Sequence, residues 1–324
     1  MTSFNVITDY RRVKDAILRS SNIAIASHIN PDGDSIGSLL ALGLGIEKLG
    51  KKVHLISSDG VPKRYRSLPG ASRIKNKINE QPDLAIAVDC SNKEILGKTY
   101  GRSFRSAKEV LEIDHHEFRR PFGTIALIDK KSAAVGELIY QLLKKLRVGI
   151  TKDIAHNLLT SIIVETNSFR LPTVKPLTFE ICTDLIKKNV DFHKLAETVY
   201  WSRTRQSVIL SGICMKRCKF LKNGSLAWSI IRKKDFEMVD GSDEDVDTVA
   251  DEIRSIQEVE IAILFREKNK KHLRVSLRSK GRLNIASIAE KYGGGGHFDI
   301  AGCYIPNNIK YIKDVISMAR HILG

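Results

Sequence analysis

The 324-residue chain reads as a two-domain α/β protein: a larger N-terminal domain on a mostly parallel sheet flanked by helices, then a smaller mixed α/β domain. Three observations predict this. In the first half, apolar runs too short for helices alternate with stretches of helical period, as in a parallel sheet with crossover helices. Residues 191–221 then read as one helical stretch ending at the Asn223-Gly224 turn. After it come strands with apolar and basic residues on alternate faces, followed by four consecutive glycines. The expected boundaries are 1–188, a helical linker at 189–222, and 223–324.

Taken in order, 22–27 is a short apolar run suited to a buried parallel strand. It hands over to His28-Ile-Asn-Pro-Asp32-Gly-Asp34-Ser35 and then to a leucine-rich helix ending near Gly50. Pro31-Asp32-Gly33 is a turn signal, and Asp34 or Ser35 could cap the helix. That accounts for the acids but not for His28. Further strands are expected at 53–56, 83–88, 110–113 and 125–128, with His54 an ordinary strand residue. The third of these five strands ends in Asp89, and the fourth in Asp114-His115-His116. A helix follows at 132–146. Thr151 should cap the next, whose stripe Ile154, Ala155, Leu158, Leu159, Ile162 and Ile163 is buried and which ends at Glu165-Thr166-Asn167-Ser168-Phe169-Arg170.

No run approaches the ~18 apolar residues of a membrane helix, and the N-terminus lacks the basic-then-apolar order of a signal peptide. A cytoplasmic protein is expected. The five cysteines (Cys90, Cys182, Cys214, Cys218, Cys303) are odd in number and form no CxxC pair, against a disulfide framework or a zinc knuckle. With 53 Lys and Arg against 37 Asp and Glu, the net charge of +16 points to an anionic partner such as nucleic acid, nucleotide or phosphate ester.

Three strands that end in acids or imidazoles place ligands where open α/β sheets bind them. His28, Asp32, Asp34, Asp89, His115 and Glu165 are oxygen and imidazole donors without thiolate. That set suits Mn²⁺, with Mg²⁺, Co²⁺ or Zn²⁺ as alternatives. So many carboxylates in one cleft would repel each other unless cations neutralised them. Six donors exceed the needs of one ion with open positions, so two ions are expected. A metal pair can activate a shared water for in-line attack on phosphorus, which makes phosphoester hydrolysis the natural reaction class.

His28-x3-Asp32-x-Asp34, Asp89, Asp114-His115-His116 and the segment from Glu165 to Arg170 resemble, in order, the four motifs of the DHH phosphoesterase superfamily. The resemblance implies two Mn²⁺ ions: one on His28, Asp32 and Asp89, the other on Asp34, Asp89, His115 and Glu165, with Asp89 as the bridge. It also implies that His116 contacts the scissile phosphate or the leaving oxygen, and that Asp114 orients the site from behind. Where the family usually has Asp-Thr-Gly in the fourth motif, this chain has Glu165-Thr166-Asn167.

In the second half, strands are expected at 225–231 and 260–265. Leu273, Val275 and Leu277 alternate with Arg274, Ser276 and Arg278. The run through Arg278-Ser279 and then Gly293, Gly294, Gly295, Gly296 and His297 is similar to the DHHA1 substrate domain of the same superfamily. Four glycines allow backbone N–H groups to approach an anion. By that resemblance, Arg278, Ser279, the four glycines and His297 grip the substrate's terminal phosphate or nucleotide, in an active-site cleft between the domains. Ile300 stands where a small residue is usual.

A catalytic domain followed by this small domain resembles the short standalone branch, the nano-RNase/pAp phosphatases and the phosphodiesterases of cyclic di-AMP or linear pApA. The expected activity is Mn²⁺-dependent release of mononucleotides from short RNA or linear dinucleotides, with phosphatase activity on 3′-phosphoadenosine 5′-phosphate. Two alternatives remain open at this point: a pyrophosphate or polyphosphate hydrolase, and a non-catalytic nucleotide- or RNA-binding protein. No obligate protein partner is evident; a homodimer is compatible with the apolar helix stripes.

Overall fold

The computed structural model describes residues 9–99, 101, 104–281, 283–296 and 298–324. The chain divides into two compact units, Met1–Ser202 and Arg203–Gly324.

The apolar runs of the first unit form β1 (Asn22–Ala26), β2 (Lys52–Ile56), β3 (Leu84–Val88), β4 (Glu109–Asp114) and β5 (Ile125–Ile128). All pair in parallel, in the order β2-β1-β3-β4-β5. Every residue of β3 is buried, as a strand covered on both faces requires. Its isoleucine and leucine side chains join one core and its alanines another. The helices are α1 (Tyr10–Arg19), α2 (Gly33–Glu47), α3 (Val135–Lys145), α4 (Lys152–Glu165), α5 (Pro176–Ile186) and α6 (Phe192–Tyr200). Thr151 caps α4 as expected. Asp32, not Asp34 or Ser35, caps α2: its carboxylate accepts the Ser35 N–H at 2.9 Å, and the Ser35 hydroxyl accepts the Asp32 N–H in return. Asp34 is thereby left inside the first turn, fully buried.

Helices α2 and α4 pack with little between them. A Cβ on Gly37 would overlap the Asn157 carbonyl oxygen and lie 3.0 Å from the Ser161 nitrogen, so only glycine permits the approach. The contact brings Ser161 Oγ of α4 within 2.6 Å of Asp34.

In the second unit, α7 (Arg205–Lys216), β6 (Lys219–Leu221), β7 (Leu226–Ile231), α8 (Lys233–Val239), α9 (Val249–Arg254), β8 (Ile261–Glu267), β9 (His272–Ser279), α10 (Ala286–Lys291), β10 (Gly295–Gly296), β11 (Ile300–Pro306) and α11 (Ile309–Ile322) follow in turn. The sheet order is β10-β11-β9-β8-β7-β6, antiparallel except for β7 and β8. Leu273, Val275 and Leu277 join one core with residues of α10 and α11, while Ala262 and Leu264 of β8 join another with residues of α7 and α9. The stretch 191–221 is not one helix. It breaks after Tyr200, and Thr204 starts α7 by accepting the Ser207 N–H. The Asn223-Gly224 turn takes the left-handed conformation expected of it (φ +53° and +94°).

Candidate metal centre

The strand order places the ends of β1, β3 and β4 side by side. The chain leaves β1 towards β2 and returns to β3 on the other side. The connections that leave β1 and β3 thus head for opposite sides of the sheet order, and the crevice between the carboxyl ends of two such strands is where these sheets receive ligands. His28 follows β1, Asp89 follows β3, and Asp114 closes β4 ahead of His115 and His116. Asp89 is buried and holds a left-handed backbone (φ +58°), a strain of order 1 kcal/mol that recurs at functional sites.

Three groups of donors gather here, each with ligating atoms within 4.8 Å of one another: His28, Asp32 and Asp89; Asp34, His115 and Glu165; and Asp89, His115 and His116. His28 Nε2 lies 3.5 Å from Asp89 Oδ2 and 3.9 Å from Asp32 Oδ1. His115 Nε2 lies 3.7 Å from Asp34 Oδ2, 3.6 Å from Glu165 Oε1 and 3.9 Å from Asp89 Oδ1. Two oxygens of one carboxylate thus face two imidazoles.

These residues fit divalent ions on two grounds. His28 Nδ1 sits 2.7 Å from the Ile29 carbonyl and His115 Nδ1 sits 3.1 Å from the Ser132 carbonyl. A carbonyl only accepts, so each Nδ1 carries a proton, and a neutral ring then presents the lone pair of Nε2 to the carboxylates. Separations of 3.5–3.9 Å are too long for hydrogen bonds. They lie within the ~4.2 Å that separates two opposite donors of an ion held by bonds of ~2.1 Å. Among the described residues, no Lys or Arg forms an ion pair with Asp34 or Asp89; the basic groups beside them are the imidazoles of His28, His115 and His116.

The protonation equilibria carry the same demand for positive charge. Burial, then the charge of Asp89, pushes the Asp34 carboxyl well up. Burial lowers His28, but the carboxylates of Asp89 and Asp32 outweigh it and raise the ring to about 9. Burial likewise lowers His116, yet Asp114 raises it to about 9. Asp114 itself is held far below the carboxylate range: burial opposes this, but His116 and Arg119 prevail. His116 Nδ1 donates to Asp114 Oδ1 at 2.6 Å.

Glu165 is the last residue of α4, with Thr166 as C-cap, and Asn167 follows in the left-handed region (φ +47°). A helix usually uses glycine there, and asparagine is the commonest substitute, which accounts for Thr-Asn in place of Thr-Gly.

In the second unit, Arg278 Nε donates to both oxygens of Asp251 at 3.1 Å. Arg254 braces Asp251 at 2.8 Å and donates to the Ser279 carbonyl. Ser279 is fully buried and its hydroxyl donates to the Leu283 carbonyl, so its side chain packs rather than facing a ligand. The glycines divide by task. Gly293 has φ +72° after α10, while a Cβ on Gly294 or Gly296 would collide with the backbone of β11; a Cβ on Gly295 meets nothing within 4 Å. Much of the glycine run therefore serves a tight hairpin onto β11. His297 lies outside the described residues. Ile300 pairs with Arg278 across β11 and β9.

Four participants escaped the sequence reading: Ser161, Arg119, Glu112 and Asp251. Each acts through tertiary contact, and only the pair of acids at Glu112 and Asp114, on one face of a strand, signalled that a buried cation was needed.

The family model described as "DHH family, N-terminal domain" matches residues 22–163, and "DHHA1 domain" matches residues 236–324. The chain is 28% identical over 282 residues to the bifunctional oligoribonuclease and PAP phosphatase NrnA of Thermus thermophilus, covering 86% of this chain and 83% of that protein. It is 25% identical to the protein of the same name from Bacillus subtilis, over 85% of this chain and 86% of that one. The fold matches a crystal structure of an exopolyphosphatase-related protein from Bacteroides fragilis, with TM-score 0.89, 22% identity, and 100% and 99% of the two chains covered. No helix among the described residues is long and apolar enough to cross a membrane. With both domain models matched in order and the His and Asp donors of the first gathered in one crevice, the chain belongs to the DHH/DHHA1 phosphoesterases.

Proposed function

We propose that this phosphoesterase is a Mn²⁺-dependent phosphodiesterase that releases mononucleotides from short oligoribonucleotides and linear dinucleotides such as pApA, and that it removes a phosphate from 3′-phosphoadenosine 5′-phosphate. The observation that carries the reading is Asp89, whose Oδ2 faces His28 and whose Oδ1 faces His115. One carboxylate would be shared by an ion on His28 and Asp32 and an ion on Asp34, His115 and Glu165. Mn²⁺ suits this oxygen and imidazole set. Two such ions, when bound, supply an activated water and neutralise the phosphate oxygens.

The protein's own groups then divide the work. Asp34 and the two imidazoles are each fixed from behind by a hydrogen bond, and Asp89 is anchored by its backbone N–H, which donates to the Ile113 carbonyl at 2.9 Å. His116, whose Nδ1 donates to Asp114, would contact a phosphate oxygen or the leaving oxygen. In the second unit, Arg278, the glycine hairpin and His297 would take the substrate's terminal phosphate. Oligoribonucleotides and 3′-phosphoadenosine 5′-phosphate follow the names of the relatives from Thermus thermophilus and Bacillus subtilis. Linear dinucleotides are our extension of the first class, and the net charge of +16 favours encounter with anions.

The test is a substrate panel of pApA, cyclic di-AMP, a short RNA, 3′-phosphoadenosine 5′-phosphate and pyrophosphate, each with Mn²⁺ and with chelator. Mn²⁺-dependent turnover of pApA and short RNA is expected. Hydrolysis of pyrophosphate alone, or binding of pApA without release of nucleotide, would overturn the reading.

A further inference from the structure

Strand β4 carries two acids, Glu112 and Asp114, two residues apart and hence on one face, both buried. Such a pair inside a sheet needs a cation. Arg119 supplies it from the loop that follows His116. Its Nε donates to Asp114 Oδ2 at 2.7 Å, its second terminal nitrogen donates to Glu112 Oε2, and its side chain is 5% exposed. The other oxygen of Glu112 accepts the N–H groups of Phe122 and Gly123. A Cβ on Gly123 would come within 2.9 Å of that carboxylate, so the loop lies directly on it. The Arg120 N–H donates to the Ser91 carbonyl at 2.8 Å, tying the same loop to the segment after Asp89.

Asp114 is thus used on both sides: Oδ2 by Arg119, and Oδ1 by the ring and the backbone N–H of His116. A carboxylate gripped by one cation through one oxygen can present the other in only one direction. We propose that Arg119, with Glu112 as its anchor, is a positioning residue for turnover: it fixes the Asp114 carboxylate so that His116 is held with Nδ1 bonded and Nε2 aimed at the substrate. The functional part rests on the role proposed for His116 above. A lysine could neutralise the acids, but it lacks the planar fork that reaches both at once.

The test compares wild type, Arg119→Gly, Arg119→Lys and His116→Asn as full-length proteins, following pApA hydrolysis with Mn²⁺ bound and the proton NMR signal of His116 Nδ1–H with diamagnetic Mg²⁺ in its place. Both Arg119 variants should bind Mn²⁺ as wild type does, keep KM within about twofold and lose at least tenfold in kcat, with the Nδ1–H signal shifted or lost. In Arg119→Gly, guanidinium should restore the signal and part of kcat, whereas equal concentrations of methylammonium or NaCl should not. Arg119→Lys covers the case in which stranding two buried acids unfolds the glycine variant. A folded variant that keeps the His116 signal and wild-type kcat would overturn the proposal, as would a loss explained entirely by weaker Mn²⁺ binding. His116→Asn with full turnover would instead refute the role of His116, while the Nδ1–H signal still decides whether Arg119 positions the ring.

Discussion

Asp34→Asn separates metal binding from folding, because the structure gives an amide at this position a complete set of partners. Oδ2 accepts the Val135 N–H at 2.9 Å, a bond that the amide oxygen can keep. Oδ1 accepts from Ser161 and Ser38, hydroxyls that can turn and accept from an NH₂ instead. The substitution also removes a fully buried charge that Asp89 repels. Without metal, the variant should melt at or above wild type. With metal, the ion on Asp34, His115 and Glu165 loses one of its charged ligands. An ion present at 100 times its Kd contributes about 2.7 kcal/mol of stability. A hundredfold weaker site, the upper range seen even for outer-shell partners, leaves about 0.4 kcal/mol at the same concentration. The difference of about 2.3 kcal/mol corresponds to about 5–9 °C for a unit of this size. Thermal melts with Mn²⁺ and with chelator measure this directly. An unchanged Mn²⁺-induced shift would refute the assignment of Asp34, and a metal-free variant melting well below wild type would refute the claim that its hydrogen bonds are conserved.

Asp251→Ala should raise KM for pApA about tenfold with little change in kcat, because it frees the Arg278 guanidinium from its fixed orientation; an unaltered KM would count against the proposed grip. Gly294→Ala should destabilise the second unit by about 1–3 kcal/mol, read by chemical denaturation, since its Cβ would collide with β11, whereas Gly295→Ala should be nearly silent. Asp243 is held low: burial would raise it, but Arg266, Arg274 and Lys268 outweigh that. A depressed carboxyl stabilises above its unfolded pKa of about 3.9. Asp243→Asn should therefore cost stability at pH 7, and the gap from wild type should narrow as pH falls below about 4.

Much of the first unit could be read from the chain because parallel strands buried on both faces are short apolar runs, and because ligand-bearing residues sit at strand ends. His28, Asp89 and Asp114-His115-His116 stood out since acids and imidazoles have no packing reason to end three such strands. The role of Asp32 as a cap was not legible, because Asp32, Asp34 and Ser35 are equally good caps by composition and only the chain's path chooses among them. The break at 201–204 was hidden by apolar residues that continue the helical period on both sides. Ser279 looked like a ligand contact and is a packed hydroxyl, since an alternating strand pattern says which face a residue occupies but not what covers it. The glycine run was read for anion binding; close approach to β11, which also requires glycine at Gly294 and Gly296, was not legible beside it. Ser161 reaches the site through a long-range contact that no local pattern encodes, and Arg119 through the path of the loop after His116, which folds it back onto β4.

Crystals of the protein grown or soaked with Mn²⁺ and measured at the manganese absorption edge would give the most decisive answer. Two anomalous peaks are expected, one beside His28 and Asp32, the other beside Asp34, His115 and Glu165, with the Asp89 carboxylate between them. A single peak, or peaks that do not touch Asp89, would contradict the shared-carboxylate site on which the proposed hydrolysis depends.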